Sequence, residues 1–307
     1  MGLRHIPVLA DEVVSLLRCG PHQTYVDATL GGGGHALEIL KHSEPDGKVV
    51  GIEWDEDALS VAQEVLRPFG DRVRISRENF VHLSRVLETL KIDRVDGILL
   101  DLGLSSIQLG KKERGFSLKE EGPLDMRMDQ RSDCTAADLV NSLSQKELED
   151  MISAYGEDRR ARQIAKTIVE ERRREPIQTT SALRKIVWRA TSRRSRYARI
   201  DPATRTFQAL RIQVNNELDN LRQILETGWQ TLREGGRMCV ISFHSLEDRI
   251  VKETFRKLAL GEKAKDGQEA VLRIVTKKPV TPSEEERMRN PRSRSAKLRC
   301  AERVGGA

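Results

Sequence analysis

Four short clusters of residues could do chemistry. The first is Asp27-Ala-Thr-Leu-Gly-Gly-Gly-Gly34-His35, a carboxylate followed by four consecutive glycines and an imidazole. Glycines let a backbone approach a ligand closely, and a glycine run that opens a helix offers it amide N–H groups. The second is Glu53, placed where a carboxylate can bind ribose hydroxyls. The third is Asp101-Leu-Gly-Leu-Ser105-Ser-Ile-Gln108, and the fourth is Ser242-Phe-His244-Ser-Leu-Glu-Asp248. Gly31, Gly33 and Ala36 also satisfy the G-x-G-x-x-G/A spacing of dinucleotide loops, so a nicotinamide-dependent oxidoreductase is one reading. Asp27 argues against it, because a carboxylate just before the loop repels a pyrophosphate. The same carboxylate suits S-adenosylmethionine, which has no phosphate and carries an ammonium and a sulfonium. Ser, His and acids in the fourth cluster invite a hydrolase reading, yet the G-x-S-x-G elbow is missing and triad members rarely sit so close together in sequence.

These clusters need a scaffold, and the first hundred residues supply alternating strand and helix signals. Strands are expected at Tyr25–Ala28, Val49–Ile52, Val73–Ile75 and Val95–Leu100, each followed by a segment with apolar residues at helical spacing. Such β-α units predict a parallel sheet covered by helices on both faces. Open α/β sheets bind ligands beyond the carboxyl ends of their strands, where Asp27, Glu53, Asp101 and Ser105 would all lie. Periodicity then stops over residues 105–133. A capping box at Ser144-Gln-Lys-Glu147 and apolar faces at Leu148–Tyr155, Ala161–Val169 and Leu183–Val187 follow, with no strand signal. One long helix is expected from Phe207 to Leu232, ending at Gly235-Gly236, before strands at Met238–Phe243, Val271–Val275 and Lys297–Ala301. The expectation is a discontinuous α/β core, residues 1–105 and 206–307, interrupted by a loop and an all-helical insertion over residues 106–205.

The chain of 307 residues carries a formal charge of +6, but the charge is unevenly spread. Between Glu157 and Arg211 there are 16 Lys+Arg and 6 Asp+Glu, an excess of +10, so the remainder sums to −4. Arg287 to Arg303 adds seven basic residues against Glu302 alone. Two arginine-rich segments on an acidic body suit a polyanion such as nucleic acid. Arginine also suits bidentate phosphate contacts and stacking on bases. There is no run of 18 apolar residues and no secretory signal pattern, so no membrane association and a cytoplasmic location are expected. The four cysteines and six histidines are scattered, which points away from a metal site or a disulfide frame.

Further motifs share one family's pattern: Arg114-Gly-Phe-Ser117, Gly122-Pro-Leu-Asp-Met-Arg-Met-Asp129, Pro202-Ala-Thr-Arg205-Thr-Phe-Gln-Ala209, Ile241-Ser-Phe-His-Ser-Leu-Glu-Asp-Arg249 and Asn290-Pro-Arg292-Ser-Arg294. With the glycine loop and the Asp101 segment, they resemble the bacterial 16S ribosomal RNA (cytosine-N4) methyltransferase family (RsmH, formerly MraW), over essentially the whole chain. The resemblance implies a class I, Rossmann-like S-adenosylmethionine-dependent methyltransferase sheet with an inserted helical substrate-recognition domain. It implies transfer to the exocyclic N4 of a decoding-centre cytidine within the small ribosomal subunit, leaving S-adenosylhomocysteine. Cofactor contacts carry over to Gly33, Gly34, His35, Glu53, Phe80, Asp101 and Gln108, and the residue reading adds Asp27. Glu53 stands where the family usually has Asp, Arg160 where Phe is common, and Asp201 where His is frequent. Asp101, Ser105 and His244 are the candidates for accepting hydrogen bonds from N4. Arg193, Arg194, Arg196, Arg199, Arg205, Arg292 and Arg294 are the candidate RNA contacts. A homodimer is compatible with the sequence, and a non-catalytic ribosome assembly factor is the remaining alternative.

Overall fold

A computed structural model describes residues 7–191, 201–260 and 270–305. The chain folds as two units, residues 1–105 with 218–307, and residues 106–217.

The first unit is built on a seven-stranded sheet ordered β3-β2-β1-β4-β5-β7-β6. Its strands are β1 (Thr24–Asp27), β2 (Lys48–Ile52), β3 (Val73–Ser76), β4 (Val95–Asp101), β5 (Leu232–Ser242), β6 (Leu272–Ile274) and β7 (Lys297–Arg303). The first five are parallel, and β7 runs antiparallel to both β5 and β6. Period-two alternation splits the buried strand residues between two faces. Val26, Ile98, Leu100, Met238 and Val240 pack with α4 (Leu83–Thr89), α11 (Glu217–Thr227) and α12 (Ser245–Leu260). Tyr25, Leu99, Cys239, Ile241 and Cys300 pack with α1 (Ala10–Leu17), α2 (Gly34–His42) and α3 (Glu56–Leu66). Strands buried on both faces read as continuous apolar runs, which is why Ile98-Leu99-Leu100 and Met238-Cys-Val-Ile241 were legible.

The second unit holds α5 (Ser106–Gly110), α6 (Ala136–Ser142), α7 (Gln145–Gly156), α8 (Ala161–Arg172), α9 (Thr180–Ala190) and α10 (Thr204–Asn215) among its described residues. The Ser144/Glu147 capping box opens α7 as expected, and a second box, Thr135/Asp138, opens α6, which the apolar pattern did not reveal. The stretch 105–133 is irregular but well tied. Buried Arg114 donates to the carbonyls of Arg127 and Met128 at 2.9 and 3.0 Å, and Asn215 brackets Met126 and Met128. A Cβ on Gly122 would run into the carbonyl of Lys112, so only glycine fits there.

Three expectations need correction. The long helix from Phe207 is two helices, because Asn216 adopts the left-handed conformation (φ 50°) and caps α10. Since α10 packs on α7, the helical unit extends to Glu217 rather than stopping at residue 205. Gly235-Gly236 does not cap a helix. The glycines lie within β5, where the register with β4 shifts between Val95 and Gly97, and Gly235 has φ 76°.

Candidate functional site

Asp27, Glu53 and Asp101 stand at the carboxyl ends of β1, β2 and β4, three adjacent strands. Backbone bonds stitch these ends together. Ala28 N–H donates to the Leu99 carbonyl at 2.9 Å, Asp101 N–H to Thr29 Oγ1 at 2.6 Å, and Leu102 N–H to the Ile241 carbonyl at 3.0 Å. The glycine run turns the chain from β1 into α2, with Gly33 as N-cap in the left-handed region (φ 83°). That conformation favours glycine, and a Cβ there would also crowd Leu66 Cγ at 3.2 Å. The expected free amides are partly engaged: Gly31 N–H donates to Glu53 Oε2 at 2.8 Å and Gly33 N–H to the Leu30 carbonyl.

Glu53 is 9% exposed, and its Oε1 accepts the N–H groups of Trp54 and Asp55 at 2.9 and 2.8 Å. Burial nevertheless outweighs these bonds and pushes its pKa up to about 7. Asp27 is fully buried as well. Burial raises its pKa to about 6, with His35 drawing it down and Asp101 adding to the rise. His35 is buried between the two aspartates, with Nε2 3.6 Å from Asp101 Oδ2. Burial resists a charge on its ring, but Asp101 and Asp27 prevail and its pKa rises.

The unusual feature is what these groups lack. Asp27 Oδ2, Asp101 Oδ1 and both ring nitrogens of His35 are buried without a hydrogen-bond partner. Buried polar atoms in folded proteins are nearly always satisfied, and leaving a charged one alone costs several kcal/mol. Buried carboxylate oxygens left without a partner at the edge of a sheet fit a cationic ligand. An ammonium and a sulfonium match them, Glu53 retains lone pairs for a ribose diol, and Phe80 opens a short turn after β3 with its ring partly buried. Among the described residues, no Lys or Arg pairs with these carboxylates to receive a pyrophosphate, which sets the nicotinamide reading aside.

Ser105 lies 4.0 Å from where a Gly31 Cβ would be, at the mouth of the same loop. Phe243 lies against Gly103, which brings the β5 end beside the β4 end. His244 is turned toward Glu247. Its Nε2 is 3.1 Å from Glu247 Oε1, and Glu247 Oε2 accepts the N–H groups of Phe243 and His244. Sequence reasoning did not assign Glu247 this role, although its place three residues into a helix is where a cap reaches back. Gln108 belongs to the helical unit and is 4% exposed there.

Among the candidate RNA contacts, Arg193, Arg194, Arg196 and Arg199 lie outside the described residues. Arg205 is exposed on α10, with Nη1 2.9 Å from the Glu157 carbonyl. Arg292 and Arg294 are exposed on a turn spanning Pro291–Ser295. Part of the basic excess is internal. Lys297 and Arg299 pair with Asp248, Arg189 with Glu171, and Arg211 with Glu217. The unusual Arg160 pairs with buried Asp158, and Asp201 accepts from Arg184 and from Trp188 Nε1, so both departures have local partners.

Residues 2–304 match the model of the MraW methylase family. The chain is 48% identical to the ribosomal RNA small subunit methyltransferase H of Syntrophus aciditrophicus, over 307 residues and 98% of each chain. It is 49% identical to the protein of that name from Citrifermentans bemidjiense, again over 98% of each. It is 44% identical to that from Clostridioides difficile, covering 99% of this chain and 100% of the relative.

Proposed function

The chain belongs to the MraW methylase family, and from that premise we propose that it methylates the exocyclic N4 of a cytidine in small-subunit ribosomal RNA. The donor is S-adenosylmethionine. The observation that carries the proposal is the pair of buried, unpartnered carboxylate oxygens, Asp27 Oδ2 and Asp101 Oδ1, beside the glycine loop. Asp27 and Asp101 would hold the donor's positive groups, Glu53 its ribose hydroxyls and Phe80 its base. When bound, the donor supplies an electrophilic methyl group on a sulfonium.

The cytosine amine is a weak nucleophile, because its lone pair is delocalised into the ring. Asp101 Oδ1 can accept a hydrogen bond from that amine, which raises electron density on nitrogen and fixes its direction of attack. Ser105 borders the loop and offers a second acceptor. The ring of His244 faces Glu247, yet its Nε2 is buried without a hydrogen-bond partner, so it remains a candidate polar group on the wall after β5. A base must leave its stack to reach such a site. Exposed Arg205 on α10, and Arg292 and Arg294 on the Pro291–Ser295 turn, each suit contacts to RNA phosphates. We place the target in the decoding centre of the assembled small subunit, as the family resemblance implies.

The test is incubation with methyl-labelled donor and small subunits that lack the modification, followed by nucleoside mass spectrometry. N4-methylcytidine at one position is the expected product. Label in another nucleoside would overturn the N4 assignment, and unmodified RNA with subunits bound would favour an assembly factor.

A further inference from the structure

Ser283-Glu-Glu-Glu286 reads as a capping box, the device that closes the starts of α6 and α7. It opens α13 (Glu284–Arg289), but only half of it closes there. Glu286 N–H donates to Ser283 Oγ at 3.1 Å, while the Glu286 side chain turns away and its Oε1 accepts the N–H of Leu9 at 2.9 Å. The carboxylate thus serves an amide 277 residues away instead of its own helix. Leu9 is 1% exposed, so its amide depends on that acceptor inside the core. It also sits in the left-handed region (φ 55°, ψ 37°), a conformation that costs an ordinary side chain and persists where the surroundings hold it.

The turn that Leu9 makes carries Pro7 onto the glycine loop. Val8 and Leu9 pack in one cluster with Ala36 and Ile39 of α2. Three side-chain carbons of Pro7 lie 3.6 to 3.7 Å from where a Gly34 Cβ would be, so the pyrrolidine ring backs the first residue of α2. Pro7, Leu9, Gly34 and Glu286 all belong to the first unit. We propose that Glu286 is a positioning residue for the donor site: it holds Leu9 in its strained turn, which keeps Pro7 against Gly34 and the loop in the shape that receives the donor. The inference rests on the donor site described above and goes beyond it. The family resemblance places the donor on Gly33, Gly34 and His35 and assigns nothing to Pro7 or Glu286. Consecutive glycines lose much conformational freedom when a ligand orders them, and a fixed wall behind the loop removes part of that cost before the donor arrives.

The test is calorimetry with S-adenosylhomocysteine, which binds without turnover. Glu286→Ala should weaken it about tenfold, the scale of one hydrogen bond spent on preorganisation. Glu286→Gln, whose amide oxygen still accepts from Leu9, should stay within about threefold of the wild type. Pro7→Gly, which removes the contact at the other end, should weaken binding by a similar factor, and the double variant should be no weaker than the worse single one. On small subunits, Glu286→Ala should raise the donor KM while kcat stays within about twofold, because the reacting groups are untouched. Full affinity in Glu286→Ala overturns the proposal, as do losses that multiply in the double variant or a kcat that falls with KM unchanged. Failure of the wild type to bind S-adenosylhomocysteine overturns the donor site itself. Should Glu286→Ala fold poorly, Pro7→Gly decides, and unchanged affinity there overturns the role of the turn.

Discussion

Two sets of buried polar groups, one in each unit, are treated in opposite ways, although Thr206 Oγ1 in the helical unit also lacks a partner. In the helical unit, Arg114 donates to two carbonyls, Asn215 brackets Met126 and Met128, and Asp201 accepts from Arg184, Trp188 and Ala203. These groups satisfy one another and hold an irregular chain in one shape. At the carboxyl edge of the sheet, Asp27 and His35 are as deeply placed and Asp101 is partly buried, yet each keeps an unpartnered atom. The first arrangement is architecture. The second is destabilising alone, and such groups persist at sites whose completion comes from a ligand.

Mutation can break the contrast, beginning with the largest effect. Asp101→Asn should cut the single-turnover rate at saturating donor by about 10²–10³, the scale of losing one preorganised electrostatic contact, with the fold preserved. A near-normal rate would remove Asp101 from the chemistry. Arg114→Met should do the reverse. It strands two buried carbonyls and should cost about 2–4 kcal/mol in denaturant unfolding, while S-adenosylhomocysteine binds as in the wild type. If product affinity fell in step with stability, the distinction between architecture and site would be lost. Asp27→Asn should weaken the donor by about tenfold at pH 8 and less at pH 5.5, since it removes one charge from the cation site. The smallest effect belongs to the surface. Arg292→Glu with Arg294→Glu should lower the salt dependence of subunit binding by about one unit of slope per lost phosphate contact, without touching donor affinity. An unchanged slope would remove that turn from the RNA interface.

The same contrast explains what the sequence could reveal. All seven strands were legible: the central ones because burial on both faces leaves unbroken apolar runs, β3 and β6 only by alternating apolar residues, and the glycine loop marks the first β-α turn. Asp27, Glu53 and Asp101 were legible by their place at strand ends. The short helix α6 was hidden, because seven residues give too few turns to show a period. The split at Asn216 was hidden too, since apolar spacing continues smoothly from Val214 to Leu218 and only one left-handed residue interrupts it. Net charge overstated the free basic surface, because sequence counts charges and cannot show that Lys297 and Arg299 are engaged by Asp248. Glu247 was overlooked for a related reason. Its carboxylate caps Phe243 and His244 from inside the same motif, where a single sequence shows only another acid.

In the proposed function, the unpartnered carboxylate oxygens at the sheet edge receive a cationic nucleoside. In the unliganded protein the Asp27 and Glu53 carboxyls hold their protons up to about pH 6 and 7. Their raised pKa values stabilise the free protein below the ordinary carboxylate range, and that contribution is lost as pH rises through 6 and 7. Donor binding must run the other way, because ionised Asp27 attracts the positive groups and ionised Glu53 accepts from the ribose hydroxyls. The direct measurement is calorimetry of S-adenosylmethionine binding between pH 5.5 and 8, in buffers of differing ionisation enthalpy. Affinity should strengthen about tenfold or more across this window, with protons released on binding below pH 7. Affinity that is flat with pH and free of proton release would contradict it.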